Sequence, residues 1–173
     1  RFLYENVISG NGKDGVEIEN GAPFLTFLNE VNQNGERGYH ISPGWTSSYK
    51  LICNDFSYNG AEGFYWEGAP NPYPYYMDPW PSRVYEFSRN RVKNNGADGV
   101  RVTLTIGDPT NPFAYNTYDV HFVQRLVNNH IANNAGKGIN YDAWYGTGQF
   151  ANNIIGNAQG SATDSGDNTR ENQ

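Results

Sequence analysis

Asn29-Glu30-Val31-Asn32-Gln33-Asn34-Gly35-Glu36-Arg37-Gly38-Tyr39-His40-Ile41 is one copy of a pattern that decides the fold. It reads Asn-x-apolar-x-x-Asn-[Gly/Ala]-x-x-Gly-apolar-x-apolar. The copies begin at Asn6, Asn29, Asn54, Asn90, Asn129 and Asn152. A second asparagine follows five residues later, at Asn11, Asn34, Asn59, Asn95, Asn134 and Asn157. The glycine slot is filled by Gly15, Gly38, Gly63, Gly99 and Gly138, and by Ser161 in the last copy. Starts lie 23, 25, 36, 39 and 23 residues apart. A unit near 23 with two enlarged copies predicts a solenoid whose extra residues leave as loops.

After each glycine the residues alternate. Val16/Ile18, Tyr39/Ile41, Phe64/Trp66, Val100/Val102 and Ile139/Tyr141 share one face; Glu17, His40, Tyr65, Arg101 and Asn140 share the other. Period two means strands. A second short strand precedes the first asparagine, and a third carries Val31, Phe56, Val92, Ile131 or Ile154. The expected fold is all-β: a right-handed parallel β-helix of about six coils of three short strands. Its asparagines are expected to stack as a hydrogen-bonded ladder and to tolerate the backbone angles of the corners. The glycine is expected to permit a tight corner into the next strand.

Residues 1–160 form the expected helix, and the polar segment 161–173 a frayed tail. The chain opens on Arg1 in mid-coil, so a processed chain or an excerpt, with coils preceding it, is expected. Residues 67–85 and 103–120 break the repeat with prolines and aromatics, and are read as two stiff loops on one side. A net charge of −6 and a pI of about 4.9 argue against a nucleic-acid partner. No apolar run approaches a membrane span. Cys53 reads as a small packed hydrophobe within a strand. His121 and His130 read as surface or hydrogen-bonded histidines, and Arg89, Arg91 and Lys93 as a charged cover on an outer sheet.

Equivalent positions of stacked coils lie about 4.8 Å apart. Glu17, His40, Tyr65, Arg101 and Asn140 therefore form one row, and Glu19, Ser42, Glu67, Thr103 and Asp142 a second. A groove across the coils would present acids, a histidine, a phenol and a guanidinium, with the aromatic loops as its wall. That mixture suits an acidic polysaccharide. A proton beside a uronate carboxylate comes off only if the carboxylate is neutralised, by Arg101 or a bound cation. His40 is the candidate base and Tyr65 the acid. Glu17, Glu67, Asn140 and Asp142 are candidate substrate contacts, and Tyr73, Tyr76 and Trp80 could stack on sugar rings. No linear spacing names a transition-metal site; Glu17, Glu19 and Glu67 could hold Ca²⁺.

The repeat resembles that of the pectin-lyase-like superfamily of parallel β-helices, a fold shared by lyases, hydrolases, epimerases, tailspikes and adhesins. Asn11-Gly12-Lys13-Asp14-Gly15-Val16 and Asn34-Gly35-Glu36-Arg37-Gly38-Tyr39 resemble two coils of mannuronan C5-epimerase catalytic modules. Those coils read Asn-Gly-x-Asp-Gly-Phe and Asn-Asp-Arg-His-Gly-Phe. Asp14 matches that family's functional aspartate. Its Arg-His pair is met here by Glu36-Arg37, with His40 close by. The family signature Tyr-Gly-x-Asp-Pro-His-[Glu/Asp] is absent. The resemblance implies an extracellular, carbohydrate-active protein, an epimerase or lyase, in which Asp14 and Arg37 join His40, Tyr65 and Arg101 of the outward row as the working set. The alternative is a non-catalytic glycan-binding or structural module of an appendage, tailspike or fibre, self-associating through open helix ends.

Overall fold

A computed structural model describes residues 2–19, 25–42, 49–68, 83–104, 122–143, 147–151, 154–156, 162–165 and 169–170. All of its regular structure is strand. The first coil holds β1 (Phe2–Tyr4), β2 (Val7–Ser9) and β3 (Val16–Ile18). The second holds β4 (Leu25–Phe27), β5 (Glu30–Asn32) and β6 (Tyr39–Ile41). The third holds β7 (Lys50–Ile52), a single bridge at Asp55 and β8 (Phe64–Gly68). The fourth holds β9 (Arg83–Ser88), β10 (Arg91–Lys93) and β11 (Val100–Leu104). The fifth holds β12 (Phe122–Val127), β13 (His130–Ala132) and β14 (Ile139–Ala143). The sixth holds β15 (Thr147–Ala151), β16 (Ile154–Gly156) and β17 (Ala162–Ser165), and β18 (Thr169–Arg170) follows.

Strands stack in parallel with their counterparts. The first sheet runs β1-β4-β7-β9-β12-β15-β18, and the third runs β3-β6-β8-β11-β14-β17. The second consists of β2-β5 and β10-β13-β16, joined through Asp55, which bridges Glu30 and Arg91. This is the parallel β-helix that the repeat predicts. In the segment expected as a polar tail, β17 pairs with β14 and β18 with β15. The extra residues of the enlarged copies, 69–82 and 105–121, both join the third sheet to the first and lie outside the described residues. Strands β8 and β11 continue to Gly68 and Leu104, so the regular coil extends slightly beyond the expected loop starts.

Three inward faces meet in one core. Val31, Phe56, Val92 and Ile131 come from the second side; Leu51, Tyr85, Phe87 and Leu126 from the first. Tyr39, Ile41, Phe64, Trp66, Val100, Val102, Ile139 and Tyr141 come from the third. Aromatic rings interlock at mid-length: Trp66 lies 4.6 Å from Tyr85, which lies 4.9 Å from Tyr49. Each such buried side chain contributes about 2 kcal/mol or more.

Two asparagine ladders hold the coils in register. Asn29 donates its backbone N–H and its side-chain amide to Asn54 Oδ1, both at 3.0 Å, and Asn6 does the same to Asn29. The chain of rungs continues through Asn90 to Asn129. The second ladder runs Asn11, Asn34, Asn59, Asn95, Asn134 by the same pair of bonds. From the second coil on, each amide also donates to a backbone carbonyl of the preceding coil, as Asn59 does to Val31 at 3.1 Å.

The corner angles fall elsewhere than expected. Positive φ belongs to the residue before each rung: Glu5, Leu28, Cys53, Arg89 and Asn128 on one ladder, Gly10, Gln33, Tyr58, Asn94 and Asn133 on the other. Cys53 is therefore a half-buried corner residue (φ 56°) and not part of a strand. The repeat glycines also serve another purpose than expected. A Cβ on Gly38 would come within 2.6 Å of the Asn59 amide nitrogen, and one on Gly99 within 2.7 Å of that of Asn134. Gly15, Gly38, Gly63 and Gly99 make room for the next coil's rung; none of them has a positive φ.

Two outcomes follow. Asn59→Ala strands the Asn34 donors and the Val31 carbonyl in the interior, so urea unfolding should show a loss of about 3 kcal/mol. Asn6→Ala, at an exposed rung, should lose about 1 kcal/mol. Separately, burial pushes the Tyr39 phenol up to about 12, against a lowering by its 3.1 Å hydrogen bond with Thr26. The unfolded phenol ionises near 10.0. Its contribution is thus full below that pH and lost as pH rises through about 12. Tyr39→Phe should flatten the alkaline limb of the stability–pH curve.

Candidate functional site

The outward row forms as the register requires. Glu17 pairs with His40, His40 with Tyr65, Tyr65 with Arg101, and Arg101 with Asn140. Beside it runs a second column, which sequence reasoning saw only in part: Asp14, Arg37, Glu62, Asp98 and Lys137, each directly before the repeat glycine. Asp14 and Arg37 were expected there; Glu62 and Asp98 were not. The signal was present in the sequence, because all five occupy one repeat slot.

The two columns interlock by a single rule: the corner residue of one coil holds the outward residue of the next. Asp14 Oδ2 lies 3.1 Å from His40 Nδ1. Arg37 lies with its Cζ 5.2 Å from the centre of the Tyr65 ring. Glu62 Oε1 accepts from Arg101 Nη1 at 3.3 Å. Asp98 Oδ2 accepts from Asn140 Nδ2 at 2.7 Å. Two of the carboxylates also fix the next corner's backbone. Asp14 Oδ1 accepts the Arg37 N–H at 2.8 Å, and Asp98 Oδ1 accepts the Lys137 N–H at 2.7 Å.

Around His40 these contacts converge. Although on the outward face, His40 is only 6% exposed. Its ring is stacked parallel to Tyr65 at 5.2 Å. Arg37 Nη1 reaches Asp14 Oδ2 at 3.2 Å and His40 Nδ1 at 3.4 Å. Nδ1 cannot both accept from Arg37 and donate to Asp14. The Asp14 carboxylate, at the shorter distance, accepts the hydrogen bond from Nδ1–H. In the neutral ring, Nε2 is then a bare lone pair. It is buried and makes no hydrogen bond; Glu67 Oε2, at 4.0 Å, is too far to accept or donate one. Glu17 Oε1 lies 3.7 Å from Nδ1.

Glu62 links the two guanidiniums. Its Oε2 lies 3.5 Å from Arg37 Nε, an ion pair without hydrogen-bond geometry, since that Nε has no hydrogen-bond acceptor. Arg101 Cζ also lies over Tyr65, 5.3 Å from its ring centre. The phenol ring is thus flanked by an imidazole and two guanidiniums. Burial pulls the Arg37 pKa down, but Asp14, Glu62 and Glu36 together outweigh this and hold it above the ordinary arginine value.

Asp14, Arg37, His40, Tyr65 and Arg101 are therefore brought together, with Glu17 and Glu67 at the rim. Asn140 lies one coil beyond Arg101, tied to Asp98. Asp142 stands in register with Thr103 in the second row. Tyr73, Tyr76, Trp80 and His121 lie outside the described residues. His130 is exposed on β13 beside Arg91, away from this face. Comparison of the chain with protein-family models, with curated proteins and with solved structures finds no match in any of the three.

Glu62→Gln tests the linkage. The guanidiniums it serves are 30% and 44% exposed, so the loss is discounted to about 1–2 kcal/mol. A larger loss should appear when Arg37 and Arg101 are both present than in an Arg37→Ala, Arg101→Ala background. A double-mutant cycle in urea measures that difference.

Proposed function

We propose that this β-helix modifies an acidic polysaccharide by removing the proton beside a uronate carboxylate, as a C5-epimerase or a lyase does. The observation that carries this reading is the His40 imidazole: Nδ1 held by Asp14, and Nε2 buried without a hydrogen bond. A base needs a fixed tautomer and an uncommitted lone pair. Arg37 and Arg101 would offset the charge that grows on the uronate carboxylate as the C5–H bond breaks. In an epimerase the electron pair rests in that carboxylate until Tyr65 returns a proton to the other face of C5. In a lyase the pair forms the C4–C5 double bond, the C4–O bond breaks, and Tyr65 protonates the departing oxygen. Glu17 and Glu67 flank the site with like charge, so Ca²⁺ bridging to the polymer belongs to the same reading. The resemblance of the Asp14 and Arg37 coils to mannuronan epimerase modules supports it, and an extracellular location belongs to the same reading.

A specific observation favours a second reading. The corner-to-outward pairing that positions His40 recurs at Glu62–Arg101 and Asp98–Asn140. A non-catalytic glycan-binding or structural module would use all of these pairs as staples between coils.

Incubation with alginate or pectate and Ca²⁺ separates the readings. A lyase raises ultraviolet absorbance through the new double bond. An epimerase changes the anomeric proton NMR signals without that rise. His40→Ala should lower turnover by about a hundredfold or more while the protein stays folded. Unchanged turnover in that variant removes His40 as the base; no turnover in the folded parent favours the second reading.

A further inference from the structure

No linear spacing in the chain marks a metal site, but stacking of the first two coils assembles one. Asp14 Oδ2, Glu17 Oε1 and His40 Nδ1 all lie within 4.8 Å of one another. The Asp14–His40 separation is 3.1 Å and the His40–Glu17 separation 3.7 Å. Ligands bonded at about 2.0 Å in a tetrahedron stand about 3.3 Å apart, so little movement is needed, most of it by the exposed Glu17. A fourth position would remain for water.

Two further observations point to a cation at this place. The protein already puts one there: Arg37 Nη1 sits 3.2 Å from Asp14 Oδ2 and 3.4 Å from His40 Nδ1, where an ion would contact the same two atoms. Arg37 can yield the position, because Glu62 and the Tyr65 ring hold the rest of its guanidinium. Metal at Nδ1 would leave the ring proton on Nε2, which makes no hydrogen bond here, and the half-exposed Glu67, whose Oε2 lies 4.0 Å away, would have to close on it to accept that proton's hydrogen bond. The second observation is the charge around the ring. Four carboxylates (Asp14, Glu17, Glu62 and Glu67) surround two guanidiniums here, so the local charge favours a further cation.

We propose that Asp14, Glu17 and His40 bind one divalent transition-metal ion of the zinc type, in competition with the Arg37 guanidinium. Nitrogen and carboxylate donors in this mixture suit zinc better than calcium, which prefers oxygen alone. Binding does not require the activity proposed above. It does exclude that activity while the ion is present, because metallated Nδ1 leaves the proton on Nε2 and removes the lone pair.

Titration of zinc chloride into the untagged protein at neutral pH, followed by calorimetry, tests this. One saturable site is expected. His40→Ala and Glu17→Gln should each weaken it by about tenfold or more. Arg37→Ala should tighten it severalfold, since the competing cation is gone; a merely structural role for the cluster predicts no such gain. His121→Gln, His130→Gln and Cys53→Ser should leave it unchanged. Should His40→Ala not fold, the exposed Glu17→Gln and the Arg37→Ala gain decide. Absence of saturable binding, binding indifferent to Glu17 and His40, or loss on replacing Cys53, His121 or His130 overturns the proposal. Saturable zinc binding by a protein whose metal-free form shows no polysaccharide activity would leave this site standing and remove only the catalytic reading.

Discussion

The amide-to-amide hydrogen bond between asparagines of successive coils is the constraint on which the rest of the fold depends. Each rung uses one Oδ1 to satisfy both the backbone N–H and the side-chain amide of its neighbour. Both donors are buried, so an incorrect register would leave them unpaired in the interior. Any offset between coils is therefore excluded, and with it any offset of the outward row. From the first rung to the outward residue the count is eleven in every described coil: Asn6 to Glu17, Asn29 to His40, Asn54 to Tyr65, Asn90 to Arg101, Asn129 to Asn140. Extra length can enter only where no rung is crossed. That is the junction from the third sheet to the first, which holds both long insertions.

The rungs carry a backbone cost. Among the described residues, the one before each rung adopts a left-handed conformation, and nine of these are not glycine. Leu28, Cys53, Tyr58 and Arg89 each forgo about 1 kcal/mol relative to an unstrained corner. Two or three buried hydrogen bonds per rung outweigh that. It also explains why large apolar side chains, Leu28 and Tyr58, are exposed at the corners: a left-handed residue between two rungs and strands projects outward.

Much of this was legible in the sequence because it is periodic. The Asn and Gly columns named the coil, and the alternation after Gly38 or Gly63 named the inward and outward faces. What escaped was contact along the stacking axis. The sequence shows Asp14 and His40 as 26 residues apart; only the register turns that separation into 3.1 Å. Glu62 was missed because it is unremarkable within its own coil, where Ala61-Glu62-Gly63 reads as a turn. Its role comes from Arg37 behind it and Arg101 ahead of it. The reason for the glycines was also hidden, since the clash they avoid is with the next coil and not with their own backbone.

The same register explains why chemistry can collect at one place on so regular a scaffold. Every described outward residue from His40 to Asn140 is held by the corner of the coil before it, yet the four pairs differ: carboxylate with imidazole, guanidinium with phenol, carboxylate with guanidinium, carboxylate with amide. The backbone tolerates each exchange because the ladder, not these side chains, sets the spacing. In the last two pairs the contact is made by groups that can only donate, a guanidinium and an amide nitrogen. The His40 pair is different in kind. An imidazole held at one nitrogen still offers the other, and burial against Tyr65 keeps water from occupying it. A structural staple needs only the first nitrogen. The second is what sets the Asp14–His40 pair apart from the other three.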